Sequence, residues 1–581
     1  MRIMLKISIC ASASLLAVGV YAADRSWTGA LSSDGMLDGN WNPESVPTKD
    51  TSIAVGETAT PVSMTLSGSG TLFEFKGGDF GNAGSGHSVT ISGGAKALSY
   101  ANFSVGGWAN DCTVTVDGAG SELGVISDLS SGVRMYAGGS GSNNLLLFQN
   151  GSSGHVPIGA WSFLCVGNGG SFNKLQIDGS GTAFYAADTR VGSGGSANAI
   201  VVTDGGAFYA TNSVSAGNNS GSGNGIFVTN GVFEAMKPGG ARVDINFNQG
   251  SRFVLSGASA RGLIGGFTAK TDSSMEILDG AVVTNYAQMS FSHDGTVGVN
   301  GNCWLLVSNA TLNAGYNINA GNYVDNSKII VMDGGKIYNP SYFFDIGSFA
   351  TAHDNEMIID GEGSYASCSR WRIGGQGYSN RGIVRNGGEL SSPAVQISNG
   401  NVATCVSNAI EVLNGGKITL TGWNGSVTSY ANTSNSIVRV KDGTISGSGS
   451  SNKITLYNES VLRLEGTKTK IQITALELRN NCAIEFVPPA DAASVDEPYV
   501  TLSASSAPFV VENGLVLRVL DAQPCQKNGG GTYTLVSSPN ASLAGIEFSN
   551  SSLPKGAKVI YEEHAIKVKL PSTRGTVILI R

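Results

Sequence analysis

The sequence predicts an all-β chain, a right-handed single-stranded parallel β-helix in which short strands stack coil upon coil. Three observations predict it. A phrase of apolar strand, Asp/Asn-Gly-(Gly) and apolar residue recurs as IVVTDGGAFYA at 200–210, IIVMDGGKIYN at 329–339, GIVRNGGELSS at 382–392 and IEVLNGGKITL at 410–420. Its glycines keep a fixed spacing: Gly179, Gly205 and Gly231 lie 26 residues apart, Gly387, Gly415 and Gly443 lie 28 apart, and Gly334 holds the same place in its own copy. Such self-similarity is the mark of a solenoid. Composition agrees, with 81 Gly, 14% charged and 41% hydrophobic residues in 581. The glycines follow no three-residue period and Pro is scarce, which excludes collagen. The clustered β-branched runs exclude disorder.

Residues 1–22 read as an export signal. Arg2 and Lys6 precede a short apolar run from Ile7 to Val20, and Val20 and Ala22 provide a small-residue exit before Ala23. The run is too short for a comfortable membrane span, so cleavage is expected. Cys10 is read as unmodified, because Ile7-Ser8-Ile9 lacks the small residues that lipoprotein processing favours. Losing Arg2 and Lys6 takes the formal charge from −7 to −9. No later segment is apolar for long enough to span a membrane as a helix. Seven scattered cysteines remain, without CxxC or Cys/His clusters; they are expected to be small buried packing residues, with room for one or two bridges between adjacent coils.

Residues 23–60 suit an N-terminal cap. Trp27 and Trp41 flank a Gly/Asp-rich loop, and large aromatics beside a first strand cover an open sheet end; the alternative use of the pair is a sugar-stacking platform. Residues 61–487 hold the coils, each read as strand, turn, strand, turn. First strands include SVTIS at 88–92, TVTVD at 113–117 and LQID at 175–178; second strands end in phrases such as LCVGNGG at 164–170 and WRIGG at 371–375. Fourteen to fifteen such coils at about 4.8 Å would make a rod roughly 70 Å long. Phe184, Phe208 and Phe233 recur after three successive turns and predict an aromatic ladder. The turn glycines are expected to supply positive φ. Coils near Gly257, Asn309 and Asn458 lose the turn consensus and are expected to be irregular. Residues 488–581 open with VPPADAASVDEPYV and continue with alternating strands at 509–522, 531–538 and 564–572, read as a small antiparallel β module that plugs the end.

Chemistry-bearing motifs are sparse. The acids are mostly lone turn residues such as Asp178, Asp204, Asp333 and Asp442, and neither paired aspartates nor Gly-His-Gly appears. Gly86-His87-Ser88 reads as an exposed turn. The best polar cluster is His353, Asp354 and Glu356, flanked by Asp345 and Asp360: the residue types suit metal or acid/base work, and equally a polar turn between strands. Gly-rich strings such as VGNGGS lack the Lys-Ser/Thr of a phosphate cradle and precede no helix. No catalytic residue, cofactor or metal site is assigned, and nucleic acid is an unsuitable partner for so acidic a chain.

The coil phrase VGxGG…(apolar strand)…DGG-x-(apolar), at 191–208 and 371–390, resembles the passenger-associated repeats of bacterial autotransporters, as does the opening Trp27…Asn40-Trp41…Pro47…Asp50. The likeness covers about three quarters of the chain. It implies a β-helical passenger, a fold that serves adhesins, enzyme stalks and spacers alike. The usual translocator barrel has no counterpart here, since only about 90 residues follow the coils. The functional expectation is an exported, non-enzymatic scaffold or adhesin at the cell surface or outside it, in contact with glycans or neighbouring cells. The alternatives are a polysaccharide lyase or glycoside hydrolase on the same fold, and a purely structural envelope component. Exposed members of Trp108, Trp161, Trp304, Trp371 and Trp423 would mark a sugar-binding row. Oligomeric state is left open.

Overall fold

A computed structural model of the chain describes residues 24–126, 132–159, 161–218, 221–237, 243–292, 301–399, 405–430, 433–491, 494–495 and 497–573. The signal segment, with Arg2, Lys6 and Cys10, lies outside the described residues.

Five-residue strands with β-branched and apolar residues at alternate positions set the pattern. In Lys174–Asp178, Leu175 and Ile177 point inward while Lys174, Gln176 and Asp178 face out. That strand pairs in parallel and in register with Leu145–Gln149 on one side and Ala199–Thr203 on the other. Repeating the operation gives a parallel β-solenoid of about 17 turns, about 80 Å along its axis at a strand spacing of about 4.8 Å. Each coil's interior residues are covered by the coils above and below, so burial of about 1.5–3 kcal/mol per large aliphatic side chain is shared along the axis.

Each coil has three strands rather than two. The first column runs through Lys174–Asp178. The second runs through strands such as Ser153–Val156, and the third through strands such as Phe163–Val166. In Ala183–Val191, Ala207–Ala216, Lys336–Ile346 and Tyr365–Ile373 the second and third merge into one bent strand. The turn signal at that bend is not constant, Asn339-Pro340-Ser341 in one coil and Ala187 alone in another, so it sets no period, which is why two strands were expected. Register shifts fall at this bend, between Ala186 and Asp188 and between Asn339 and Phe343. They do not fall near Gly257, Asn309 or Asn458: those three residues all keep positive φ, and strands Arg252–Ser256, Trp304–Ser308 and Lys453–Tyr457 pair without a break. Gly and Asn both tolerate the left-handed corner, so loss of the consensus leaves the coil intact.

At the N-terminal end Trp27 and Trp41 are buried edge to face at 5.2 Å, and Trp41 stacks on Phe73 at 5.8 Å. The Trp41 indole donates to the Gly35 carbonyl at 2.9 Å. Both rings close the core and present no face for a sugar. At the other end parallel stacking continues past 487. Val500–Leu502, Phe509–Glu512 and Leu515–Val519 each pair in parallel with the coil before, so the segment at 509–522 belongs to the solenoid. At this end, among the described residues, antiparallel pairing is confined to Gly531–Ser537, Ala565–Leu570 and Lys558–Glu562. An alternating strand with one buried face reads the same in either direction; the open edge of the preceding coil decides.

All seven described cysteines are free and buried, so no bridge joins adjacent coils. Burial pushes the thiols of Cys165, Cys303 and Cys368 up to about 12, which leaves them protonated packing groups.

Candidate functional site: an outer aromatic face

The corners come first, because they fix which side chains face outward. In TDGG the Gly206 amide donates to the Thr203 carbonyl at 2.8 Å, with Asp204 and Gly205 both left-handed. Two successive positive φ values make a type I′ turn. The same turn recurs at Asp333-Gly334, Asn386-Gly387 and Asn414-Gly415. Gly179 is left-handed in a variant corner that it shares with Gly181. At Gly231 and Gly443 the positive φ falls instead on Asn230 and Asp442. Glycine is needed there for closeness: a Cβ on Gly231 would lie 2.8 Å from the Val202 side chain, and one on Gly443 would lie 2.7 Å from the Val412 carbonyl oxygen.

Inside, Phe184 stacks on Phe208 at 6.0 Å and Phe208 on Phe233 at 5.7 Å, all fully buried. A second interior ladder was not anticipated. Asn144, Asn173, Asn198 and Asn224 sit one residue before successive first-column strands with no exposed surface. Each carboxamide oxygen from Asn173 onward accepts the backbone N–H and the side-chain Nδ2 of the asparagine before it, at 2.9–3.2 Å. Asn355, Asn380 and Asn408 repeat the arrangement. The ladder explains VGxGG: a Cβ on Gly167 would come within 2.1 Å of the Asn198 carboxamide, and one on Gly374 within 2.2 Å of that of Asn408. The readable signal was Asn immediately before the strand, as in SFNKLQI and YSNRGIV.

His87 occupies the same column and is buried, contrary to its reading as an exposed turn. Its Nδ1 accepts the Val62 amide at 3.2 Å and its Nε2 lies 2.6 Å from the Ala83 carbonyl oxygen.

The cluster at 353–356 is divided. His353 Nδ1 meets Asp354 at 2.9 Å, Nε2 meets Asp325 at 2.9 Å, and the ring stacks on Tyr378 at 4.8 Å. Glu356 points onto the outer face of the first column, between Lys328 at 3.0 Å and Arg381 at 3.4 Å. Asp345 pairs with Arg372 and Asp360 with Arg385. The Glu356 pairs open a ladder of alternating charge: Arg381–Glu411 at 2.8 Å, Glu411–Arg439 at 3.8 Å and Arg439–Glu465 at 2.9 Å, followed by Arg463–Glu485 at 2.6 Å and Glu485–Arg518 at 3.1 Å. Hydrogen bonding to Glu465 holds the Arg439 guanidinium above its usual range. Carboxylates and guanidinium groups do converge here, but each carboxylate is neutralised by a cation of a neighbouring coil, a poor setting for acid/base work. Among the described residues no group of three or more His, Cys, Asp or Glu is arranged to hold a metal ion.

No protein-family model matches the chain, and no curated protein does either.

Trp371 is wholly buried, its indole filling the space above Gly382, where a Cβ would lie 2.4 Å from the ring. Trp108, Trp161 and Trp423 are exposed, and among the described residues no ring contact joins any two of the five predicted tryptophans. They form no row. Outward rings do pair at Tyr323–Phe349, 4.1 Å apart, at Tyr316–Tyr342, 4.6 Å apart, and as two tyrosine pairs of the second column. Tyr185 and Tyr209 lie parallel, 4.8 Å apart at 9°, with Tyr185 48% exposed. Tyr338 and Tyr365 lie 5.7 Å apart, with Tyr338 39% exposed. The second pair walls a shallow groove of about 360 Å³ that Lys336, Ser364 and Glu389 also line. Glu389 is held by Lys417 at 2.9 Å, whereas Lys336 makes no ion pair among the described residues. An apolar ring face beside hydroxyl, ammonium and carboxylate groups, open on one side, suits reversible contact with a sugar better than enclosure of a small molecule. Sequence reading missed these tyrosines because it searched for tryptophan. The period was present: Tyr185 and Tyr209 each follow a ladder phenylalanine, as FY.

Proposed function

We propose that this chain is an exported, non-enzymatic β-solenoid scaffold or adhesin that presents the outer face of its second column to glycans. The observation that carries this reading is the groove walled by Tyr338 and Tyr365, where partly exposed rings stand beside Lys336, which makes no ion pair among the described residues. Weak contacts of this kind gain strength by repetition along a rod. Support for export rests on the N-terminal charge, apolar run and small-residue exit, and for the autotransporter-passenger likeness on the VGxGG and DGG phrases. Among the described residues no helix is long and apolar enough to cross a membrane.

A glycan array probed with purified residues 23–581 tests the reading. Binding that falls at least tenfold in Tyr338→Ala, with the thermal midpoint unchanged, is the expected result. Turnover of pectin or alginate would replace this reading with the enzymatic one. Neither binding nor turnover would leave a structural envelope component.

A further inference from the structure

Tyr185, Tyr209 and Tyr338 stand on one line, and Tyr365 lies two residues aside, in register with Lys336. Tyr209 pairs in register with Glu234, and the same ladder position then passes through Leu263, Thr284 and Asn313 to Tyr338. Five strand steps of about 4.8 Å place the platforms about 24 Å apart along the solenoid axis. The strip between them carries Thr284, Asn313 and the neighbouring Thr311, all partly exposed, and exposed Tyr286 stands beside it, two residues on from Thr284. Its few charges are mixed: Glu234 at one end, Arg261 alongside, Lys336 and Glu389 at the other.

We infer that this face takes one extended neutral polysaccharide, laid along the axis and stacked on Tyr185–Tyr209 and Tyr338–Tyr365 together. The inference rests on the glycan-contacting reading above and adds the class and length of the ligand. Length follows from the spacing, because a short oligosaccharide reaches one platform and a polymer reaches both. Neutrality follows from charge. A formal net charge of −7 repels an acidic polymer or a nucleic acid at long range, and the strip, where Glu389 is held by Lys417 and Glu234 stands with Arg261, lacks the continuous basic stripe that either would need. The hydroxyls of Thr284 and Thr311 and the amide of Asn313 can serve the polymer between the platforms. Once one platform is occupied, the other sees the same chain at a high effective concentration, so the polymer gains affinity without a new kind of contact.

The experiment uses residues 23–581 with soluble mixed-linkage β-glucan, xylan and mannan, each beside its own tetrasaccharide, and alginate as an acidic polymer. For at least one neutral polymer, affinity per chain is expected to exceed that of its tetrasaccharide at least tenfold. In Tyr185→Ser/Tyr209→Ser that advantage should disappear and the tetrasaccharide should keep only its site on Tyr338–Tyr365, with circular dichroism and the thermal midpoint reporting an intact fold. Equal affinity for polymer and tetrasaccharide overturns the two-platform inference and leaves the single groove standing. Preference for alginate overturns the neutral assignment. Binding of nothing overturns the glycan reading itself, and this inference with it.

Discussion

Replacing Asn198 by alanine tests whether the buried carboxamide ladder holds the coils together. The Asn198 oxygen accepts the Asn173 amide at 2.9 Å and Asn173 Nδ2 at 3.1 Å, and its own Nδ2 donates to Asn224 at 3.2 Å. Alanine leaves two donors of Asn173 without this acceptor in a site closed to water, and removes one donor from Asn224. An orphaned buried donor costs about 1–3 kcal/mol and a lost hydrogen bond about 0.5–1.5 kcal/mol, so a total of about 3–5 kcal/mol is expected. Urea denaturation should show a lower midpoint, and native-state hydrogen exchange should show lost protection at the Asn173 amide before the ends of the array respond. Asn198→Asp keeps both acceptor interactions but sets a carboxylate oxygen against the Asn224 oxygen, so it should also destabilise. Thr229→Ser, at an exposed position, should stay within about 0.5 kcal/mol. A loss below about 1 kcal/mol in Asn198→Ala would refute the argument that these bonds bind coil to coil.

Three further outcomes follow from the same structure. Trp371→Leu and Gly382→Ala should each destabilise, the first by leaving a cavity and the second by crowding the ring; the double variant should cost less than the sum by about 1 kcal/mol or more in a denaturation cycle, since the smaller side chain makes room for the Cβ. Burial pushes the Asp79 carboxyl up to about 6. The folded state therefore holds this proton where the unfolded chain has released it. Stability contributed by Asp79 is full below about pH 4 and is lost as pH rises to about 6, by at most about 3 kcal/mol; Asp79→Asn should flatten that part of a stability–pH profile. Glu411→Gln removes the shared partner of Arg381 and Arg439 and should cost about 1 kcal/mol at low salt and less at 1 M, read from urea midpoints.

What the sequence disclosed is what repeats with a strong local cause. DGG and NGG corners need left-handed residues, and inward Val, Ile, Leu and Phe need period-two spacing, so stacked parallel coils were legible before any coordinates. The third strand was not, because the bend has no constant signature: it is Asn339-Pro340-Ser341 in one coil and only Ala187 in another. The end of the stack was misplaced at 487, because Pro488-Pro489 interrupts composition while Val500–Leu502 still finds a free parallel edge. His353, Asp354 and Glu356 looked like one cluster because they are neighbours in sequence, but strand alternation sends Glu356 to the ion ladder. The reverse holds for Tyr209 and Tyr338, far apart in sequence and joined by register alone.

The glycine that closes one coil and the asparagine that opens the second coil after it form a lock and key split across the repeat boundary, as Gly167 and Asn198 show. Cutting out or duplicating one whole period returns a matching half at each new junction, whereas a fractional period sets a Cβ or a strand residue against the carboxamide. Evolution can therefore lengthen or shorten this rod in whole steps of one coil, and a designer can adjust its reach by the same increment.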